Sequence, residues 1–328
     1  MFKLSFGRVR GPAFTGLLAL AGCAAQVGSE RSGEPQAISA ELDAVGGHGS
    51  PEPPMLGVHV ARGQAKPSGG GGSPNMTWHN GAIMNDVAVT SIFWGKSWAS
   101  SSFIGDKMTG LDSFYTGYNG SHYAGTCTEY TGTNGSVGTS VTNDGQLVDT
   151  TAAPSRPPQT TSSILTEVCN ALSDAGRSPA ANGYYAVYTD TPRGSGRYCA
   201  WHSYGTCPDV NNNNASVPVQ FGMFLKLDGD SGCDPQDTGT THSQGLAALA
   251  NVSAHELAET MTDPRNGGWY DGSGNENGDK CAWTFNVPHV TFSNSDIWKV
   301  QGEWSNAAYT AKTGYPNGSG QGGCLDGQ

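Results

Sequence analysis

His255-Glu256-Leu257-Ala258-Glu259 stands in a stretch, Gln244 to Met261, where Leu246, Leu249 and Val252 recur at helical spacing. Residues four apart on a helix lie one turn apart on the same face, so His255 and Glu259 can share one metal ion. Glu256 sits where the glutamate of an H-E-x-x-H helix takes the proton of a zinc-bound water. A carboxylate in place of the second histidine keeps an oxygen ligand for zinc but makes the string less specific. Such a string arises by chance in roughly a few chains per hundred of this length, and an acidic solvated helix face would also produce it. The neighbours Val252, Ser253, Ala254, Leu257 and Ala258 are apolar or small, and only 14% of the chain is charged. That setting favours the metal.

A catalytic zinc needs a third protein ligand and an open position. Glu276 is the first choice and Asp279 the second; they follow Glu259 at roughly the separation of the third glutamate in thermolysin-like enzymes. The same segment, Trp269 to Asp279, also reads as a Gly/Asn-rich turn in which acidic residues are common. Asp263 is a weaker candidate, able to reach back only if the helix stops sharply at Asp263-Pro264. Tyr270 could donate to a developing oxyanion or simply pack. With zinc on His255, Glu259 and Glu276, the expected chemistry is hydrolysis of a peptide or protein, Glu256 passing the water's proton to the leaving amine.

Other clusters are weaker. Asp228, Asp230, Asp234 and Asp237 lack the sixth-position glycine and terminal glutamate of an EF-hand and read as an acidic turn. Gly194-Ser195-Gly196 is not a nucleophile elbow. His79, His202, His242 and His289 stand alone and read as structural. Cys199, His202 and Cys207 have a faint zinc-knuckle spacing, but a disulfide suits an exported chain better.

Positioning such a helix requires a sheet. Val87 to Trp94 is a β-branched and aromatic run expected as a strand buried on both faces, and Tyr184 to Tyr188 as another. Helices are expected over Phe103 to Tyr115 and Ser163 to Ala175, the latter stopped by Gly176. Val217, Val219, Phe221, Met223, Leu225 and Leu227 alternate, as in a strand packed on one face, and Pro218 favours its start or an edge position. That strand would be the edge to which an extended peptide adds. The fold class is therefore α+β: a single zincin-like domain over 76–328 with a mixed sheet, an edge strand and an active-site helix, stabilised by disulfides.

The N-terminal quarter reads as an address and a tether. Lys3, Arg8 and Arg10 precede the apolar stretch Ala13 to Ala21, and Leu20-Ala21-Gly22-Cys23 is similar to a bacterial lipoprotein signal. The expectation is a signal peptide over 1–22, a lipid anchor to the membrane at Cys23, and a Gly/Pro/Ser-rich flexible linker over 23–75. The short apolar patch Met55 to Val60 interrupts it and could dock as a strand. Eight cysteines include Cys23, which leaves an odd seven. At least one of those is a free thiol; Cys199 with Cys207, and Cys281 with Cys324, are candidate bridges. Asp and Glu number 28 against 17 Lys and Arg, a balance that repels phosphate backbones and excludes a nucleic-acid partner. The expected location is extracytoplasmic, in a bacterial cell envelope or secreted.

Thr77-Trp78-His79-Asn80-Gly81, the strand ending Phe93-Trp94-Gly95-Lys96, the Cys199 to Cys207 loop, and Thr262-Asp263-Pro264 leading to Gly268-Trp269-Tyr270 resemble, in this order, the EXORDIUM or phosphate-induced protein 1 family. The resemblance covers most of 77–328. It implies a lipoprotein-type bacterial relative of plant cell-wall proteins linked to growth responses, which have no established enzymatic activity. Plant members generally lack the His-Glu-x-x-Glu string. Two functions stand: a zinc-dependent peptidase whose plant relatives lost the site, and a non-catalytic extracellular binding or signalling protein.

Overall fold

The computed structural model describes residues 52–64 and 73–328. The expected signal peptide, the anchor at Cys23 and most of the linker lie outside the described residues. The part of the linker that is described corrects its boundary: Leu56–Val60 is strand β1 of the main sheet, so the folded unit reaches upstream of residue 76.

Five further strands complete that sheet: β2 (Asp86–Trp94), β3 (Ser140–Asp149), β4 (Gly183–Pro192), β5 (Tyr198–Asp209) and β6 (Ala215–Lys226). The spatial order is β1-β5-β6-β4-β2-β3. The β3-β2-β4-β6 portion is parallel, and β5 pairs antiparallel with both β6 and β1. The sheet is mixed and the class α+β.

Two expectations about strands are corrected here. The alternating segment, β6, is interior rather than an edge, flanked by β5 and β4. It is buried on both faces from Val219 onward, so its alternation does not mark a solvated side. Pro218 is tolerated because pairing with β4 begins only at Gln220.

Helix α1 (Lys107–Tyr118) starts later than the periodicity suggests, because Gly105, at φ 53°, breaks it from a single turn at Ser101–Ile104. Helices α2 (Ser162–Asp174) and α3 (Gln244–Thr262) lie on opposite faces of β5. A side chain at Gly205 would meet Leu165 of α2, whereas His202, three positions earlier and so on the other face, meets Glu256 and Glu259 of α3. Helix α3 is capped by the Ser243 hydroxyl, which accepts from Leu246 N–H at 3.1 Å. Every residue from Gly245 to Thr262 is buried. Its run of alanines allows close approach on all sides, which is how a helix carrying three ionisable side chains becomes a core element.

Among the described residues three disulfides form: Cys169–Cys207, Cys199–Cys233 and Cys281–Cys324. The expected Cys199–Cys207 bridge is geometrically excluded: both residues lie on β5, eight positions or roughly 26 Å apart along a strand. Cys127 is a buried free thiol. The disulfides suit an extracytoplasmic compartment. Among the described residues no helix is long and apolar enough to cross a membrane.

Candidate metal centre

Helix α3 brings His255, Glu256 and Glu259 to the sheet, and the turn beyond it brings Glu276 and Asp279 back to them. Asp271 builds that turn, accepting from Ser273 and Asn275 N–H at 2.9 and 3.0 Å and from Lys280 Nζ at 3.0 Å. A single helical turn, α4 (Asn277–Lys280), then starts beyond Glu276. Asp279 N–H donates to Glu259 Oε1 at 2.8 Å, and Glu276 N–H donates to Asp279 Oδ2 at 3.2 Å. The Gly/Asn-rich turn and the acidic site are thus one feature: the turn aims the acids.

His202, read from sequence as structural, stands in the middle of the group. Its Nδ1 lies 3.2 Å from Glu256 Oε2 and 3.7 Å from Glu259 Oε2, and its Nε2 lies 3.6 Å from Glu276 Oε2. His255 Nε2 lies 3.1 Å from Glu259 Oε2 and 3.7 Å from Asp279 Oδ1. His59, His202, His255, Glu256 and Glu259 are 0% exposed. Two sets of residues could each hold an ion, His202 with Glu259 and Glu276, and His255 with Glu256 and Glu259. Glu259 belongs to both.

Gln301, also missed from sequence, supports the His255 set. Its Oε1 accepts from Trp283 N–H at 3.2 Å and its Nε2 donates to the Gly278 carbonyl at 2.7 Å, which fixes the amide's orientation. The same Nε2 faces His255 Nδ1 at 3.0 Å, so that ring nitrogen accepts and the neutral ring carries its proton on Nε2, toward Glu259. His202 Nδ1 faces Glu256 and Glu259, and its Nε2 faces Glu276. Either set of residues could hold a divalent ion. Backbone crowds the group from two sides. A Cβ at Gly57 would fall 1.9 Å from Glu259 Oε2, and one at Gly278 2.7 Å from His255 Nδ1.

Glu303 lies behind the group, buried, with Tyr123 donating to it at 2.8 Å. Burial pushes its carboxyl well above the usual range despite that hydrogen bond, and the charge of Glu259 pushes the same way. Tyr270, by contrast, stacks on His79 with ring centroids 3.4 Å apart, and burial raises its phenol. Asp263 caps the end of α3, accepting from Gly267 and Gly268 N–H at 2.8 and 2.7 Å. His242 stacks on Trp298, and His289 pairs with Asp237. The sequence signal for His202 is weak: it alternates with Ala200 and Tyr204 in a strand whose partner acids lie more than fifty residues downstream. Comparison with protein-family models, with curated proteins and with solved structures finds no match to this chain.

Proposed function

We propose that the chain is an exported, zinc-dependent peptide hydrolase of zincin-like layout, with the ion on His202, Glu259 and Glu276. The observation that carries this reading is the convergence of Glu256, Glu259, Glu276 and Asp279 on two buried imidazoles at 3.1–3.7 Å. Burying several carboxylates together is costly unless positive charge joins them. A bound divalent ion would supply that charge and acidify a water. The proton acceptor is Glu256, held by His202 Nδ1 at 3.2 Å and adjacent to the ligands without being needed as one. Asp279 and His255 hold Glu259, through a backbone N–H and an imidazole N–H respectively. Tyr270 is a packing aromatic in this reading.

A second reading is favoured by the burial of His202, His255, Glu256 and Glu259, all at 0% exposure: an ion that braces the fold of an exported, non-catalytic protein, in keeping with the EXORDIUM resemblance. In either case the lipoprotein-type signal and Cys23 would tether the chain to the cell envelope. Metal analysis of protein purified without chelator tests the ion, and an essentially metal-free preparation would end both readings. His202→Ala should release the ion, whereas His255→Gln should weaken its retention about 10- to 100-fold; the opposite ranking would move the ligand role to His255. Cleavage of a mixed peptide library by wild type but not by Glu256→Gln would separate the hydrolase from the brace.

A further inference from the structure

Strand β1 lies where an extended peptide substrate would have to lie. It occupies the outer edge of β5, antiparallel to it, directly over the His/Glu group. Leu56 pairs with His202, His59 with Ala200 and Val60 with Tyr198, and the register slips on both sides of His59. Gly57 bends at φ 48° and presses its backbone against Glu259 and His202 so closely that no side chain fits. The His59 ring rests on His255 with centroids 4.2 Å apart, and His59 Nε2 reaches Gln301 Oε1 at 3.1 Å.

The edge beneath β1 has pairing and cross-links of its own. Strand β5 is paired with β6 from Ala200 to Asp209 and is tied at both ends by Cys199–Cys233 and Cys207–Cys169. Strand β1 contains no cysteine, so no disulfide fixes it. Besides its ladder to β5, the buried His59 and Ala61, and hydrogen bonds from Ser203 Oγ to the Pro54 carbonyl and from the Trp283 indole to the Val60 carbonyl, both at 2.8 Å, the segment is held by polar contacts at its two ends. Glu52 Oε1 accepts from Ser162 N–H and Thr161 Oγ1 at 2.6 and 3.0 Å. Arg62 donates from Nε to the Asp234 carbonyl at 2.9 Å and from its backbone N–H to the Gly232 carbonyl at 2.7 Å, with its guanidinium over Trp283. A rigid, cross-linked edge strand and a separately tethered occupant, small where it crosses the acids, have the form of a binding groove and its plug.

We propose that the β5 edge is a groove for an extended peptide with a small residue opposite Glu259, and that β1 is its built-in occupant, an autoinhibitory strand whose withdrawal opens the metal centre. The proposal rests on the hydrolase reading only for the cleavage step after binding; access to the groove is measured separately. The experiment uses the full chain loaded with zinc. Glu52→Ala/Arg62→Ala loosens both ends of the segment without touching the His/Glu group, and Val60→Cys/Tyr198→Cys locks a registered pair across the groove. Zinc extraction by a chelator should be at least 10-fold faster in the loosened protein and slower than wild type in the locked one. A labelled synthetic peptide of residues 52–64 should bind the loosened protein and not the locked one, read by fluorescence anisotropy. Thermal melts establish that both variants are folded. Extraction at wild-type rates together with no peptide binding in the folded, loosened variant would overturn the proposal. Faster extraction and peptide binding without cleavage of any library peptide would uphold the plug and remove the hydrolase.

Discussion

Carboxylates crowd two regions of this molecule, and they are neutralised in different ways. In the loop from Asp228 to Asp237, three of them have dedicated partners. Lys107 Nζ lies 2.6 Å from Asp228, Arg193 grips both oxygens of Asp230 at 2.6 and 2.7 Å, and His289 Nε2 lies 2.8 Å from Asp237. In the group on α3 and α4, four carboxylates share two imidazoles at contacts of 3.1–3.7 Å. Lys107 and Arg193 are fixed cations at short distance and close the sites of Asp228 and Asp230, because nothing is gained there by adding another charge. Shared imidazoles, each with a nitrogen that can present a lone pair, leave a role for a mobile cation. Acidic density alone does not separate the two regions; the identity of the neutralising partner does.

The largest effect should come from the residue common to both candidate ligand sets. Glu259→Gln is expected to lower metal affinity by about 100-fold or more, since changes to residues that only support the ligands cost 10- to 100-fold. Asp230→Asn should leave it unchanged. Competition against a chelator of known affinity measures both, and equal losses in the two variants would erase the distinction between the regions. The converse change comes next. Arg193→Ala strips Asp230 of its two-pronged partner while the carboxylate side chain stays 14% exposed, which should cost about 1–2 kcal/mol of stability once partial solvation is allowed for. Denaturant melts would show that cost, and metal content should stay at the wild-type level.

How far the sequence reveals this depends on whether the partners are local. His255, Glu256 and Glu259 are visible because a helix repeats every turn, and Glu276 and Asp279 because they come within about twenty residues of Glu259. His202 is not, since its strand mixes polar and aromatic residues and its contacts depend on which strand lies beside which helix. The same gap explains β6, whose alternation over 217–227 is read correctly as a strand, observed at Ala215–Lys226, but incorrectly as an edge. Strand order is decided by crossovers, and no local pattern encodes it. The patch Met55 to Val60 is legible as a strand that could dock, but the role of His59 is not, because it depends on the pairing of that strand with β5 beside the His/Glu group. For the acidic loop, the reading as an ordinary turn agrees with the structure, yet its physical reason lies in Lys107, Arg193 and His289, which are 121, 37 and 52 residues from their partners. The Cys281–Cys324 bridge is readable from position near the end of the chain; the other two cross-link elements whose adjacency only the sheet creates.

Acid should separate the two regions by the smallest but most diagnostic effect. Burial pushes the Asp230 carboxyl up, yet hydrogen bonds from Arg193 and from the Gly232 backbone outweigh it and hold it below the usual carboxylate range. At Asp237 burial is likewise outweighed, by hydrogen bonds from Thr240 and His289. A folded value below the unfolded one means that the native state takes up its proton later. The loop's contribution is therefore complete above the unfolded value, near pH ~4, and is lost only as pH falls through the lower folded values. Metal ligands must be deprotonated to bind, so affinity at the His/Glu group falls as pH drops from neutrality. Titration from about pH 7 to about pH 3 should accordingly release metal first, reported by a metal-sensitive dye, and loosen the loop afterwards, reported by amide exchange over 228–240. Arg193→Ala should bring the second step to higher pH and leave the first in place. Release of the metal only after the loop has opened would mean that the carboxylates of the buried group are held by fixed partners as the loop's are, and the contrast between the regions would disappear.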